Sequence, residues 1–183
     1  MNYRRAASGR LRLVGFAAVT VLVSVLAGCG GDEERREYAV PHTLCGTPVD
    51  SDELAPFLPP GRRITVRDNS HTAIKGCELL VDGKLIVSTT QAWLERGRTT
   101  AYFASAQTLE VPDRAADEGR FRYSGNQAFG KTQGCVDTRH DEELYTAVQA
   151  DGSKHKDADA MKRLIISYTK EVENSAACTE GAQ

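Results

Sequence analysis

The chain has 183 residues, of which 40% are hydrophobic and 26% charged, and carries a formal net charge of −2. Arg4, Arg5, Arg10 and Arg12 stand in the first 28 residues with no acid beside them, so without that segment Lys plus Arg falls from 23 to 19 against 25 Asp plus Glu, about −6. A chain of that sign is repelled by polyanions, which argues against nucleic-acid binding and polybasic lipid binding as its main business.

The first element is an N-terminal basic stretch followed by the apolar run Leu13 to Ala27, interrupted only by Gly15, Thr20 and Ser24. A spanning helix needs roughly 20 apolar residues. This run is shorter and ends in small residues before Gly30, Gly31 and the charged Asp32 to Glu37, the layout of a secretory signal. Its last four residues, Leu26-Ala27-Gly28-Cys29, resemble the lipobox of bacterial lipoproteins. The resemblance covers residues 1–29 and implies removal of residues 1–28, a diacylglyceryl group on the Cys29 thiol and a mature chain that begins at Cys29 on the outer face of the cell membrane. Two acyl chains anchor stably where one holds only marginally. Arg4-Arg5 suits general positive charge better than a twin-arginine signal, because Ala6-Ala7-Ser8 follows in place of bulky apolar residues.

The remaining 155 residues suit one domain. Residues 29–41 read as an anchored, flexible tether, since Gly30 to Pro41 is charged and glycine-rich with little to bury. Residues 42–178 form the domain and 179–183 a disordered tail. With Cys29 assigned to lipid, Cys45, Cys77, Cys135 and Cys178 remain, and an exported chain makes disulfides the default. Four cysteines allow three connectivities, which sequence does not separate. The favoured pairs are Cys45 with Cys77 and Cys135 with Cys178, each stapling a helix to a strand.

Within the domain, Asp50 to Leu58 has the spacing of a short helix, with Leu54, Phe57 and Leu58 apolar and Pro59-Pro60-Gly61 ending it. Arg62 to Asp68 alternates, placing Ile64 and Val66 inward on a strand. Cys77 to Val81 and Lys84 to Thr90 flank Asp82-Gly83, a hairpin signal. Thr99 to Gln107 reads as a helix, Asp113 to Gly119 as a polar loop and Phe121 to Tyr123 as a short strand. Phe129 to Asp137 and Glu143 to Ala150 make a second hairpin. Met161, Leu164, Ile165, Tyr168 and Val172 then mark one stripe of a final helix capped by Asp157 or Asp159. The expectation is an α+β domain, with a single antiparallel sheet of about four to six strands packed by two or three helices and stapled by two disulfides.

A second resemblance rests on Cys45 with Thr47-Pro48-Val49-Asp50-Ser51-Asp52-Glu53-Leu54, on Gly76-Cys77, on Gly134-Cys135 and on the helix ending at Cys178. Over roughly residues 44–178 these resemble a four-cysteine family of actinobacterial lipoproteins of unknown function. The resemblance supports the fold and the pairing and transfers no catalytic residue. Glu78-Leu79 stands here where the family has an aromatic after the second cysteine.

Several constellations invite chemistry. Ser167-Tyr168-Thr169-Lys170 matches S-x-x-K, but no S-D-N or K-T-G follows and Lys131-Thr132-Gln133-Gly134 lies upstream. His140-Asp141-Glu142-Glu143 sets an imidazole beside carboxylates, a general-base or metal possibility on a solvated turn. Asp151, Ser153, Asp157 and Asp159 lack the order of a calcium loop. Arg120-Phe121-Arg122-Tyr123 fits alternating strand faces, and Trp93 fits core or rim packing after a strand. The cysteines and histidines show no zinc spacing, and no Walker, dinucleotide or G-x-S-x-G motif is present. No metal, cofactor or catalytic set is therefore expected. The reading is a non-catalytic envelope lipoprotein that binds a protein or envelope ligand. A small hydrolase using His140 and nearby carboxylates, or a carrier of an apolar ligand, are the alternatives.

Overall fold

The computed structural model describes residues 35–180. The signal segment, Cys29, the first part of the tether and residues 181–183 lie outside the described residues. Among the described residues no helix is long and apolar enough to cross a membrane.

The domain opens on a two-stranded ribbon, β1 (Thr43–Leu44) and β2 (Thr47–Pro48). Helix α1 (Ser51–Leu54) follows, its first turn held by the Asp50 carboxylate accepting from the amides of Asp52 and Glu53. Pro56 and the Pro59-Pro60 pair deny the backbone donors a longer helix needs, so the expected element over 50–58 is only one α turn followed by a 3-10 turn, Ala55–Phe57. Leu54, Phe57 and Leu58 are nevertheless all buried.

The main sheet has seven strands, all antiparallel, against the four to six of the sequence reading. Strands β3 (Ile64–Asp68), β4 (Ile74–Val81) and β5 (Lys84–Glu95) form one meander. Strands β6 (Arg114–Ala116), β7 (Phe121–Tyr123), β8 (Gln127–Asp137) and β9 (Glu142–Gln149) form another. The two are joined where β5 pairs with β9, from Ser88 opposite Gln149 to Glu95 opposite Glu142. The additional strand is β6, in the stretch expected as a polar loop. It is turned back onto β7 by Asp117, Glu118 and Gly119, three consecutive residues at positive φ. Asp82 (φ 48°) and Gly83 (φ 81°) make the β4–β5 turn, as the Asp-Gly pair requires.

Alternation along the central strands feeds two layers. Leu144, Thr146 and Val148 of β9 face helix α3 (Ala158–Glu173), whose Met161, Leu164, Ile165, Tyr168 and Val172 are buried as one stripe. Tyr145 and Ala147 face the other way, where Phe103 and Ala104 of α2 (Thr100–Gln107) cover them, and Phe103 meets the Phe129 ring edge-on at 5.9 Å. Thr146 and Thr169 share a hydroxyl hydrogen bond of 2.7 Å beneath Gly130. A Cβ on Gly130 would stand 2.7 Å from the Thr169 hydroxyl, so the glycine lets helix and sheet meet there. Gln91 reaches across the same layer, its Nε2 donating to Thr47 Oγ1 at 2.9 Å and to the Tyr168 hydroxyl at 3.0 Å.

Strand β3 corrects another expectation. Ile64 packs inward against the core as expected, whereas Val66 is 38% exposed, because β3 is an edge strand. Trp93 lies within β5 and not after it, opposite Leu144 and half-buried against the core. Both disulfides join the favoured partners. Cys45–Cys77 ties the β1–β2 turn to β4, and Cys135–Cys178 ties β8 to a short terminal helix, α4 (Ala176–Glu180). Cys77 and Cys135 sit inside their strands and not at their starts, and Thr179, expected in a disordered tail, belongs to α4.

The later part of the expected tether is also held. Glu37 donates its amide to Gly61 O at 2.8 Å, the Arg36 guanidinium donates to Ala55 O at 2.8 Å and Leu58 O at 2.6 Å, and the Tyr38 hydroxyl donates to Pro59 O. Tyr38 and Val40 of this N-terminal strap also pack against the core, contacts that a charged, glycine-rich composition hides.

Candidate functional site

The turn between β8 and β9 places His140 over Asp137. One Asp137 oxygen accepts from the amides of Arg139 at 2.8 Å and His140 at 3.2 Å, and the other accepts from His140 Nδ1 at 2.7 Å. The bond to Asp137 raises the imidazole pKa, and the same bond lowers that of the carboxyl. Of the three acids that follow His140 in sequence, Glu142 stays near it and the other two go elsewhere. Asp141 pairs with Arg96 at 2.8 Å, and Glu143 takes Lys131 at 2.5 Å and the Gly97 amide at 2.9 Å. Asp137, His140 and Glu142 could each offer one ligand atom to a cation. Asp137, however, is already the acceptor that closes the turn, and the His140 side chain is 70% exposed. Its Nδ1 is committed to Asp137, and the ring stands in solvent.

The other sequence candidates are taken up by structure. Ser167 Oγ donates back to Leu164 O at 3.1 Å while Tyr168 fills the core, so the S-x-x-K string reads as one turn of α3. Asp151 accepts from Asn126 Nδ2 at 2.9 Å, Ser153 Oγ from the His155 amide at 3.1 Å, and Asp157 caps α3 through the amides of Asp159 and Ala160. Phe121 and Tyr123 point inward, whereas Arg120 and Arg122 bond the carbonyls of Lys131 and Pro112.

Cation-lined depressions recur on the surface, and two of them differ in how those charges are matched. A cleft of about 350 Å³ lies among Thr99, Asp117, Arg120, Lys131 and Gln133. Its cations are already matched, with Arg120 between Asp117 and Glu173 and Lys131 on Glu143. The second is a groove of about 590 Å³ with Val81 and Ile86 in its floor and Arg35, Arg62, Lys84 and Lys154 around it. Among the described residues none of these four cations is in an ion pair.

The groove is built by the turn at Asp82. Its carboxylate accepts from the amides of Arg62 at 3.0 Å and Arg63 at 2.9 Å, and these bonds hold its pKa below the usual value. Two glycines let the walls close. A Cβ on Gly61 would lie 2.5 Å from Val81 Cγ1, and one on Gly152 would lie 2.0 Å from Leu85 O. Sequence reasoning missed this groove, and Asp137 as well. The groove's cations come from four separate segments and carry no local pattern. Asp137 was legible in principle as an Asx turn three residues before the histidine.

Fold and site together define a disulfide-stapled antiparallel α+β domain with a cation-rimmed groove beside its N-terminal strap. No family model, curated protein or solved structure matches the chain.

Proposed function

We propose that this chain is a bacterial, and by resemblance actinobacterial, membrane lipoprotein. It is anchored through a diacylglyceryl group on Cys29 and presents a non-catalytic binding domain on the extracytoplasmic face of the cell membrane. The single observation that carries the reading is Leu26-Ala27-Gly28-Cys29 at the end of a basic and then apolar segment. Two disulfides in the domain agree with an oxidising compartment. Against the hydrolase alternative, His140 stands on an open turn with its carboxylate partner engaged in closing that turn. Against the carrier alternative, the space between α3 and the sheet is filled by Phe57, Met161, Leu164, Ile165 and Tyr168.

Intact-mass analysis of the protein extracted from its own membranes tests the anchor. The expected product begins at Cys29 and carries the added mass of a diacylglyceryl group. An unmodified chain that still begins at Met1 would overturn the anchor. Turnover on wall, lipid or peptide substrates that disappears in His140→Ala, with the fold intact, would overturn the non-catalytic reading.

A further inference from the structure

We propose that the groove between the N-terminal strap and the β4–β5 turn is a docking surface for the headgroups of anionic phospholipids, so that this face of the domain rests on the membrane holding Cys29. The inference depends on the lipid-anchor reading and adds an orientation and a lipid class to it.

Three observations meet here. The first is local charge: Arg35, Arg62, Arg63, Lys84 and Lys154 surround the groove and the shallower depression beside it, and the carboxylates lining the two are Glu37 and Asp82. Asp82 keeps its charge while it accepts from the amides of Arg62 and Arg63, so two carboxylates stand against five cations, and none of the five is in a close ion pair among the described residues. The mature charge of about −6 is thus unevenly spread, and this face has the opposite sign to the whole. The second is shape. An apolar floor of Val81 and Ile86 lies under that rim, and Leu85, 46% exposed beside Lys84, adds an apolar side chain able to enter the interfacial layer.

The third is chain length. The strap is fixed to the domain from Arg36 onward, so the segment toward Cys29 leaves at Arg35, on the groove. Six residue steps separate Arg35 from Cys29, at most about 20 Å of extended chain. An acylated Cys29 therefore keeps the groove within reach of the headgroup layer, whatever the rest of the domain does. Asp32, Glu33 and Glu34 between them are acidic, so the attraction comes from the folded rim and not from the connecting chain. Each cation brought to an anionic leaflet favours the docked orientation by about fivefold, an effect that salt screens.

The test uses the lipidated protein reconstituted into vesicles of phosphatidylcholine alone or with about 30 mol % phosphatidylglycerol, read by amide hydrogen exchange. Flotation of the protein with both vesicle types first establishes the anchor, and failure to float on either would overturn the anchor and leave nothing for the groove to add. With the anchor in place, exchange over 59–63, 82–87 and 150–154 should slow by about fivefold or more in the anionic vesicles only, and recover in high salt. The variant Arg62→Glu/Lys84→Glu/Lys154→Glu should float equally and lose that protection, as should the milder Lys84→Gln/Lys154→Gln if the first fails to fold. Equal exchange in both vesicle types would overturn the proposal while sparing the anchor. So would protection reproduced by inorganic phosphate on phosphatidylcholine vesicles, which would assign the groove to a soluble anion.

Discussion

The hydrogen bond from His140 Nδ1 to Asp137 Oδ2 couples two exposed groups whose pKa values move apart, the imidazole above 6.5 and the carboxyl below 3.8. A raised histidine pKa stabilises the fold fully below 6.5, and that contribution is lost as pH rises through the raised value. A lowered carboxyl pKa stabilises above 3.8, and its contribution is lost as pH falls through the lowered value. The pair therefore acts most fully between 3.8 and 6.5. NMR titration should place the His140 midpoint above 6.5 and return it toward that value in Asp137→Asn; an unchanged midpoint would remove Asp137 as the cause. The same residue-level accounting applies to Gly152. A Cβ there meets the Leu85 carbonyl at 2.0 Å, and backbone cannot swing aside as a side-chain tip can. Gly152→Ala should lose about 3 kcal/mol in urea unfolding. Gly83→Ala, in open space but at φ 81°, should lose only about 1 kcal/mol. Similar losses for the two would mean that the loop yields.

At the scale of elements, the two disulfides staple pieces too small to stay in place unaided. The β1–β2 ribbon has only two residues in each strand, and α4 has five in all. Closing loops of 32 and 43 residues restricts the unfolded chain by about 4 kcal/mol each in the chain-entropy picture. Cys135→Ala/Cys178→Ala should lose about that much. Cys45→Ala/Cys77→Ala should lose more, because freeing the ribbon also takes Thr47 Oγ1 from the buried Gln91 amide. Urea midpoints compare them, and a smaller loss for the Cys45 pair would show that the ribbon stays docked without its bond. The elements that sequence located well, the β4–β5 hairpin and α3, are specified by neighbours in the chain: a turn dipeptide, a cap and a 3.6-residue stripe. Strand β6 was not legible, since Arg114-Ala115-Ala116 has little strand preference and becomes a strand only because β7 is there to pair with it.

For the whole molecule, charge is the quantity that changes meaning between sequence and structure. Residues 29–183 sum to about −6, which argues against contact with an anionic surface, yet the fold gathers Arg35, Arg62, Lys84 and Lys154 around one groove. The candidate site was thus almost invisible in the chain, whereas the His140 turn, which sequence singled out, is closed by an aspartate three residues upstream of it. By itself the sequence determined what depends on short spans: the α+β class, the Asp-Gly hairpin and the stripe of the last helix. Tertiary structure alone decided the order of the seven strands, the exposure of β3 at the sheet edge, the docking of the strap and the groove beside it. The physical reason is that these depend on contacts between residues far apart in the chain, whose closeness is set by how the layers pack and which no local periodicity records.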